Sequence, residues 1–518
     1  MLAFALVGGL TALRLAALFA TPLELYPDEA QYWAWSRELA FGYFSKPPMI
    51  AWLIRATTAI GGDGEAWVRL SAPLLHAAAA LALQRVGARL YDGWTGFWAA
   101  ALYSLMPGVQ LSAGVIATDA PLLCFLSLAL WAYAGLWRAE RPAERLRCAA
   151  GLGAALGLAF LSKYAAVYFF VGLGLHALLD QDARRPWRKK EAATALAVFL
   201  ALATPNLAWN FGHGFVTVGH LVANTDLGPA PDEAARRGPL LSFDARQTPG
   251  FLLSQLGVFG PIPFLALVGG AWTLWRRRRL QPADRLLLAF AVPPLAAVIA
   301  QALASRANAN WAAAAYAPAS VLVAAWLLRW RARRWLEAAA LLQGGAAALF
   351  LLAAASPGIA DGLGFSNALK RARGWAEATA AVLARAQAEG ELTAIATDDR
   401  FLFNAMTYYG RAAFARPGAP PLRMWMRRPR ANTQAETEAP LRPAEGGRVL
   451  AASLEGVYRD EMRDDFRRSG PVAQTFVPLD ARRRRRIDLF VGEGLAPRPR
   501  DARTGLPIRA GSVRTSTR

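Results

Sequence analysis

The chain has 518 residues and a formal net charge of +21, and 55% of its residues are hydrophobic. A soluble protein of this length is ordinarily more polar. Apolar runs of about 17–25 residues are typical of transmembrane helices, and the sequence contains about eleven: roughly 1–20, 67–90, 94–114, 119–137, 148–162, 164–180, 191–209, 250–275, 284–304, 309–328 and 335–356. The composition excludes a soluble globular protein and predicts a polytopic α-helical membrane protein.

The first apolar segment is predicted to be a retained helix rather than a cleaved signal peptide. Its start, MLAFALVGGL, lacks a basic region, and Arg14 interrupts the apolar run. No small-x-small cleavage site precedes the next helix.

Basic residues cluster in the loops of one side, at 85–89, 138–147, 184–190, 276–279 and 329–334. The positive-inside rule identifies that side as the cytoplasm. The loops 21–66 and 210–250 and the C-terminal tail are then predicted to lie outside. Membrane lipids, and not nucleic acid, are the partners that this pattern predicts.

The first outer loop combines charges with many aromatic rings, in the segment LYPDEAQYWAWSRELAFGYFSKPPMIAWLI. Asp28 and Glu29 stand at the start of a predicted juxtamembrane helix, where acids favour the helix dipole, and Gly42 is predicted to end it. Asp28 is interpreted either as a helix N-cap or as a site residue. Glu29 has either a hydrogen-bonding role in the first turn or a catalytic one.

A Lys-Pro-Pro turn closes the first half of this loop. Pro47 and Pro48 fix an extended turn that is predicted to carry Lys46 towards the site. The aromatic residues before it, Tyr43 among them, either stack against a sugar or lie flat at the level of the lipid headgroups.

Other polar residues stand at the predicted outer ends of distant helices. Ionisable groups at membrane depth are costly, so their default interpretation is functional. We expect them to converge on one polar site at the outer membrane surface: Asp119, Lys163, Asn206, Asn210, His213, His220, Arg306, Asn308 and Asn310. A carboxylate pair beside lysine and arginine suits transfer of a group from a phosphate-linked donor, because cations stabilise the departing phosphate. A carboxylate can accept the proton of an attacking hydroxyl.

The composition changes after residue 356, so 1–356 is predicted to be the transmembrane catalytic domain. The segment LTAIATDDRFLFNAMTYYGR predicts a strand, a turn and an amphipathic helix, and RVLAAS and RRIDLFVGEG predict further strands. We expect a small outer α/β domain over 357–495 and a disordered tail over 496–518. The basic run ARRRRRIDL either binds anionic headgroups or sugars, or forms a solvated surface.

The segment YPDEAQYWAWSRELAFGYFSKPPMIAWLI closely resembles the first outer loop of bacterial family 39 glycosyltransferases. The resemblance continues through ATDAPLL, GLAFLSKYAAVYF, PNLAWNFGHGFVTVGHL and RANANWAAAAYAPA, over about residues 20–330. This family belongs to the membrane-embedded GT-C superfamily, with the protein O-mannosyltransferases and the aminoarabinose transferases that act on lipid A. The resemblance implies a GT-C fold in the bacterial inner membrane, with an active site that faces the periplasm.

The resemblance also implies roles for individual residues. Asp28 matches the acidic loop residue proposed as general base, with Glu29 as its neighbour, and Asp119 matches the second outer-loop acid. Lys46 matches a lysine that contacts the lipid phosphate in the aminoarabinose transferases. Arg306 either corresponds loosely to a basic residue before a later helix or extends its side chain to the lipid headgroups.

The remaining polar residues are candidates for substrate binding: Tyr43, Lys163, Asn210, His213, His220 and Asn310. The two histidines either help to bind a metal or an acceptor phosphate, or act as hydrogen-bonding loop residues. No metal ligand set is predicted, although the family differs in metal use and a divalent metal stays open.

The implied function is transfer of a sugar from a polyprenyl-phosphate donor to a periplasmic acceptor, which is lipid A or lipopolysaccharide, a polysaccharide or a protein. The alternative is a transporter or flippase for a lipid-linked sugar. Transporters place polar groups at mid-membrane in two related halves, whereas here the charges gather at one surface.

Overall fold

The computed structural model describes residues 1–185, 187–224, 247–277, 279–305, 307–501 and 505–508. These residues form two compact units. The first contains residues 1–21 and the described part of 39–356, and the second contains 22–38 and the described part of 357–508.

The first unit is built from apolar helices. The α-helices up to residue 355 are α1 (Leu2–Ala20), α2 (Pro27–Trp35), α3 (Met49–Gly61), α4 (Glu65–Arg69), α5 (Ser71–Leu90), α6 (Gly93–Leu105), α7 (Pro107–Gly114), α8 (Asp119–Arg138), α9 (Pro142–Ser162), α10 (Val167–Leu179), α11 (Lys189–Gly212), α12 (Val216–Asn224), α13 (Gln247–Val258), α14 (Pro261–Arg276), α15 (Pro282–Ala304), α16 (Tyr316–Arg329) and α17 (Arg333–Ala355). Short 3₁₀ turns at Tyr164–Ala166, Gln181–Arg184 and Ala309–Ala315 join them. Helix α2 alone of these belongs to the second unit.

Eight helical segments of the described chain are long and apolar enough to cross a membrane: Leu2–Ala20, Glu65–Leu90, Asp119–Arg138, Pro142–Ser162, Lys189–Gly212, Pro282–Ala304, Ala309–Arg329 and Arg333–Ala355. The bent pair Thr248–Val258 and Pro261–Arg276 would make a ninth. Met49–Gly61 and Tyr164–Leu179 are shorter apolar helices. The predicted fold class, a polytopic helical membrane protein, is confirmed.

Two predicted spans are broken by proline. The run 94–114 is not one helix but α6 and α7, because Pro107 lacks an N–H and forces the preceding Met106 out of the helical region, to φ −51° and ψ 127°. The run 250–275 bends by 115° between α13 and α14, where Gly260 has φ +98° and Pro261 follows.

Small residues let the helices of the first unit approach closely. A Cβ atom on Gly87 of α5 would lie 2.7 Å from the Cα atom of Gly96 in α6. This is the small-residue packing of membrane helices, in which backbones come into direct contact. Near the first helix, the buried Arg14 donates hydrogen bonds to the Ser104 carbonyl (2.5 Å) and to Gln110 Oε1 (3.3 Å).

The second unit is an α/β domain. Its further helices are α18 (Pro357–Gly362), α19 (Ser366–Leu369), α20 (Trp375–Glu389), α21 (Arg400–Tyr409), α22 (Arg411–Phe414), α23 (Gln434–Glu438) and α24 (Arg459–Arg463), with 3₁₀ turns at Lys370–Ala372 and Pro443–Glu445. Its strands are β1 (Ala394–Thr397), β2 (Leu422–Met424), β3 (Arg448–Leu454), β4 (Phe466–Ser469), β5 (Ala473–Pro478) and β6 (Arg484–Leu495).

The six strands form one mixed sheet in the order β2-β1-β3-β6-β4, and β5 also pairs with β6. Strand β1 is parallel to β2 and β3, whereas β6 is antiparallel to β3, β4 and β5. The predicted strand–turn–helix segment is β1 followed by α21, and the other two predicted strands are β3 and β6. The predicted disordered tail falls largely outside the described residues, although Arg500 is buried and its guanidinium bonds to Asp465 and Glu461.

The predicted juxtamembrane helix is present as α2, but it is shorter than expected. It ends at Trp35 rather than near Gly42, because the Ser36 hydroxyl donates to the Trp33 carbonyl and competes for the last turn. The residue before the helix is Tyr26, so Asp28 is not its N-cap.

Candidate catalytic site

Three of the predicted site residues meet at the ends of membrane helices in the first unit. Asp119 is the first residue of α8, and its Oδ1 accepts a hydrogen bond from Lys163 Nζ at 2.8 Å. Its Oδ2 accepts one from Asn310 Nδ2 at 3.1 Å. The Asp119 and Lys163 side chains are 14% and 23% exposed, so the pair is reachable from solvent but largely shielded.

A second polar cluster ties the end of α11 to the first outer loop. The Tyr164 hydroxyl donates to Asn206 Oδ1 and accepts from Asn210 Nδ2, both at 2.9 Å. Asn206 Nδ2 in turn donates to the Phe41 carbonyl at 2.6 Å. Both asparagines are buried. This network supports the loop backbone, which is a structural role for Asn210.

Hydrogen bonds of the Tyr43 backbone hold the turn that contains Lys46. The Tyr43 amide donates to the Lys46 carbonyl at 3.1 Å, and the Thr217 hydroxyl donates to the Tyr43 carbonyl at 2.7 Å. Tyr43 is only 4% exposed, so its ring is packed inside the unit rather than presented to a sugar.

The two histidines lie against aromatic rings. His213 is exposed, stacks on Trp209 with a centroid separation of 4.0 Å, and its Nδ1 lies 2.7 Å from the Trp209 carbonyl. The His220 ring contacts Phe44 edge-on at 5.6 Å. These contacts favour the interpretation of both histidines as loop residues over that of metal ligands.

The acids of the first loop belong to the second unit, where they differ sharply in environment. Glu29 is 1% exposed and accepts the Tyr26 amide at 2.9 Å, so it satisfies an amide at the start of α2. The Asp28 side chain is 56% exposed, and its Oδ1 lies 3.8 Å from a guanidinium nitrogen of Arg400. Of the two carboxylates, Asp28 is the exposed one and Glu29 the buried one.

The candidate residue Arg306 lies outside the described residues. Among the residues that the structure describes, no group of three or more His, Cys, Asp or Glu side chains could hold a metal ion. No residue cluster of that part of the chain is therefore assigned to a metal.

Sequence reasoning missed two residues beside the candidates. Tyr164 bridges Asn206 and Asn210, and its position next to Lys163 was the available signal. Arg400 follows the paired acids of TDDR at the start of α21, and no local pattern predicts its contact with Asp28 because that contact is long-range.

The comparisons with known proteins agree with this architecture. A family model described as dolichyl-phosphate-mannose-protein mannosyltransferase matches residues 45–209. The lipid A galacturonosyltransferase RgtD of Rhizobium johnstonii is 38% identical over 359 residues, which cover 68% of this chain and 71% of that protein. The undecaprenyl phosphate-alpha-4-amino-4-deoxy-L-arabinose arabinosyl transferase 1 of Sodalis glossinidius is 28% identical over 317 residues, covering 55% of this chain and 53% of that protein.

A solved structure shows the same fold. ArnT from Cupriavidus metallidurans, bound to undecaprenyl phosphate, superposes with a TM-score of 0.62 and 15% identity over 94% of this chain and 98% of that one. Fold and matches together define a membrane-embedded GT-C glycosyltransferase that uses a polyprenyl-phosphate-linked sugar donor. The chain belongs to the family of membrane glycosyltransferases that includes RgtD. The predicted enzyme class is confirmed, and the transporter alternative is set aside.

Proposed function

We propose that this enzyme transfers a hexuronic acid from undecaprenyl phosphate to lipid A at the periplasmic face of the inner membrane. The observation that carries the proposal is the 38% identity to a lipid A galacturonosyltransferase over about two thirds of both chains. The more distant relative, which is named for an undecaprenyl-phosphate donor, supports the choice of carrier. The one-sided basic loops support the orientation.

The reaction is a displacement at the anomeric carbon. A hydroxyl of the acceptor attacks that carbon, the bond from the carbon to the phosphate oxygen breaks, and undecaprenyl phosphate leaves with the electron pair. Asp28 receives the hydroxyl proton as general base. Its exposure supports this role, because a base must reach the acceptor from solvent, whereas the buried Glu29 orients the helix that carries Asp28.

The cluster around Asp119 is a candidate substrate-binding surface of the first unit. We infer that Asp119, held by Lys163 and Asn310, orients polar groups of the substrate, and that Lys163 and Asn310 complete this binding surface. Lys46 and Arg306 stabilise the departing phosphate, a role that rests on the family resemblance. In this proposal residues 1–356 other than 22–38 form the membrane domain, and 22–38 belongs with the periplasmic domain over 357–495.

Lipid A from a deletion strain tests the proposal. Mass spectrometry should show loss of the hexuronic acid, and the wild-type gene should restore it. Asp28→Asn should be expressed normally and restore nothing, because the amide cannot take the proton. Glu391→Gln, which changes an exposed acid of the same unit, should restore the sugar fully. Unchanged lipid A in the deletion strain would overturn the proposal, and full restoration by Asp28→Asn would remove Asp28 as the base.

A further inference from the structure

Asp28 is fixed to the second unit by the packing of α2 on α21. Trp33 of α2 meets Tyr408 of α21 edge-to-face, with ring centroids 4.9 Å apart. The Arg411 guanidinium lies over both rings, 4.6 Å from the Tyr408 centroid and 5.8 Å from that of Trp33. These contacts join the last turns of α2 and α21. The first residues of the two helices also lie close together, with Asp28 beside Arg400.

The chain before α2 is attached to the same domain. The Glu24 carboxylate accepts the amides of Trp375 and Ala376, and the Leu25 amide donates to the Tyr409 hydroxyl at 2.8 Å. Burial raises the pKa of Glu24, and these hydrogen bonds from backbone amides oppose that rise. With attachments on both sides, the position of Asp28 relative to Arg400 is set by the fold and not by a mobile loop.

The contact between Asp28 and Arg400 contributes little to folding. Its 3.8 Å separation exceeds hydrogen-bond length, and the two side chains are 56% and 40% exposed. Exposed pairs of this kind are screened by water and add little to stability. Arg400 is also the first residue of α21, where a cation opposes the helix dipole. Neither the contact with Asp28 nor the helix dipole therefore accounts for an arginine at this position.

The Arg400 side chain is held in place by an aromatic ring. Its guanidinium lies 4.8 Å from the centroid of Phe401, and that of Arg371 lies 5.8 Å from the same centroid. Among the described residues, the Arg400 guanidinium donates no hydrogen bond. The Arg400 guanidinium is therefore positioned by the Phe401 ring while its N–H groups stay available, which suits an oxyanion.

The two relatives named above are named for sugars that differ in charge. Galacturonic acid carries a carboxylate, whereas 4-amino-4-deoxy-arabinose carries an amine. In a hexuronic acid the carboxylate is attached to C5, which only the ring oxygen separates from the anomeric carbon. A cation that binds this carboxylate must therefore lie within one sugar ring of the base, and the same cation repels an amino sugar.

We propose that Arg400 binds an oxyanion of the substrate beside Asp28, namely the carboxylate of the donor's hexuronic acid, and so selects the sugar by its charge. The inference rests on the proposed function, because it takes Asp28 as the base and a hexuronic acid as the sugar. A phosphate on the acceptor is the other source of an oxyanion, and the experiment separates the two.

The test uses the purified full-length protein in detergent with two donors, undecaprenyl phosphate-linked galacturonic acid and its galactose counterpart, which lacks the carboxylate. Arg400→Gln should lower kcat/KM by about 10- to 100-fold on the uronic acid donor, as expected for a lost hydrogen bond to a charged group, and far less on galactose. Arg400→Lys should recover part of the loss, because it keeps the charge but not the planar fork. Arg467→Ala, an exposed arginine on β4, is the matched control and should change neither rate.

The acceptor is varied in the same way, with lipid A that bears or lacks phosphate. The defect of Arg400→Gln should persist on the phosphate-free acceptor. A defect that disappears with the acceptor phosphate, an equal loss on both donors, or a wild-type enzyme without preference for the uronic acid overturns the inference while the transfer reaction stands. Failure of the wild-type enzyme to transfer either sugar overturns the proposed function together with the inference. Thermal unfolding of each variant shows whether the fold is retained, which we expect because Asp399, and not Arg400, accepts the amides at the start of α21.

Discussion

The Asp119–Lys163 pair is an ion pair at the rim of the membrane helices. Its two side chains are mostly shielded, so loss of either partner leaves a poorly solvated charge. The sequence marks both residues, because each is an ionisable group at the end of an apolar run. The sequence does not predict that the two residues pair, because they lie at the ends of different helices and only helix packing determines which helix ends come together.

Single and double substitutions test whether this pair works as one unit. We expect Asp119→Asn and Lys163→Ala each to lower kcat by about 100-fold, because loss of either partner displaces the other from the position in which it orients the substrate. Because each variant disables the same pair, the double variant should be no slower than the slower single one. Lys190→Ala, at an exposed lysine of α11, is the control. Losses that multiply would show that Asp119 and Lys163 act independently.

At the scale of elements, α2 shows what a pattern can and cannot predict. The two adjacent acids predict a helix start, and the helix begins there. Neither its early end at Trp35 nor the difference between Asp28 and Glu29 follows from the sequence. The early end depends on the hydrogen bond of the Ser36 hydroxyl to the last turn. The difference in exposure between the two acids depends on the packing of α21 against one face of α2. A one-residue difference in register decides which carboxylate is buried.

The parallel strands β1 and β3 are joined at their carboxyl ends by a buried acid. Asp398 accepts the Ser453 hydroxyl at 2.5 Å and the Leu454 amide at 3.3 Å. Burial raises the pKa of Asp398 from 3.8 to about 6, although these hydrogen bonds oppose the rise. The folded state therefore binds a proton more tightly than the unfolded state does. The stabilisation that the proton on Asp398 gives to the folded state is fully present below about pH 4 and is lost as the pH rises through about 6.

Asp398→Asn should remove this pH dependence. The amide has the same shape and no charge, so the variant should protect β1 and β3 more strongly than the wild type at pH 8, by up to about 3 kcal/mol. The difference should shrink towards pH 4. Hydrogen exchange of peptides that cover 394–409 and 448–454, compared at each pH in the full-length protein, measures it. Asp464→Asn, at an exposed acid, should show no such trend, and a constant difference across pH for Asp398→Asn would contradict the account.

At the scale of the whole molecule, hydropathy predicts the membrane class and motifs predict the family. Each of the apolar runs found in the sequence contains helix, yet the described chain has eight full-length spans and one bent pair. The difference arises at Pro107 and Pro261, which interrupt apolar runs that hydropathy averages over, and at Tyr164–Leu179, which is a shorter apolar helix. In the second unit, β2, β4 and β5 are short or alternate weakly, and pairing with β1 and β6 stabilises them more than local preference does.

The proposed selection of the sugar by its charge involves two residues of the second unit that are far apart in the sequence. Asp28 comes from the first loop and Arg400 from the domain after the membrane helices. No local motif joins them, so the sequence predicts Asp28 as a candidate base but does not predict the arginine beside it.

The purified full-length protein, given undecaprenyl phosphate-linked galacturonic acid and lipid A, provides the most direct test of the central claim. Free undecaprenyl phosphate and galacturonosylated lipid A are measured together over time. We expect the two products to appear in equal amounts and to be absent with Asp28→Asn. Carrier released without a sugar on lipid A, or no product from the wild-type protein, would contradict the account.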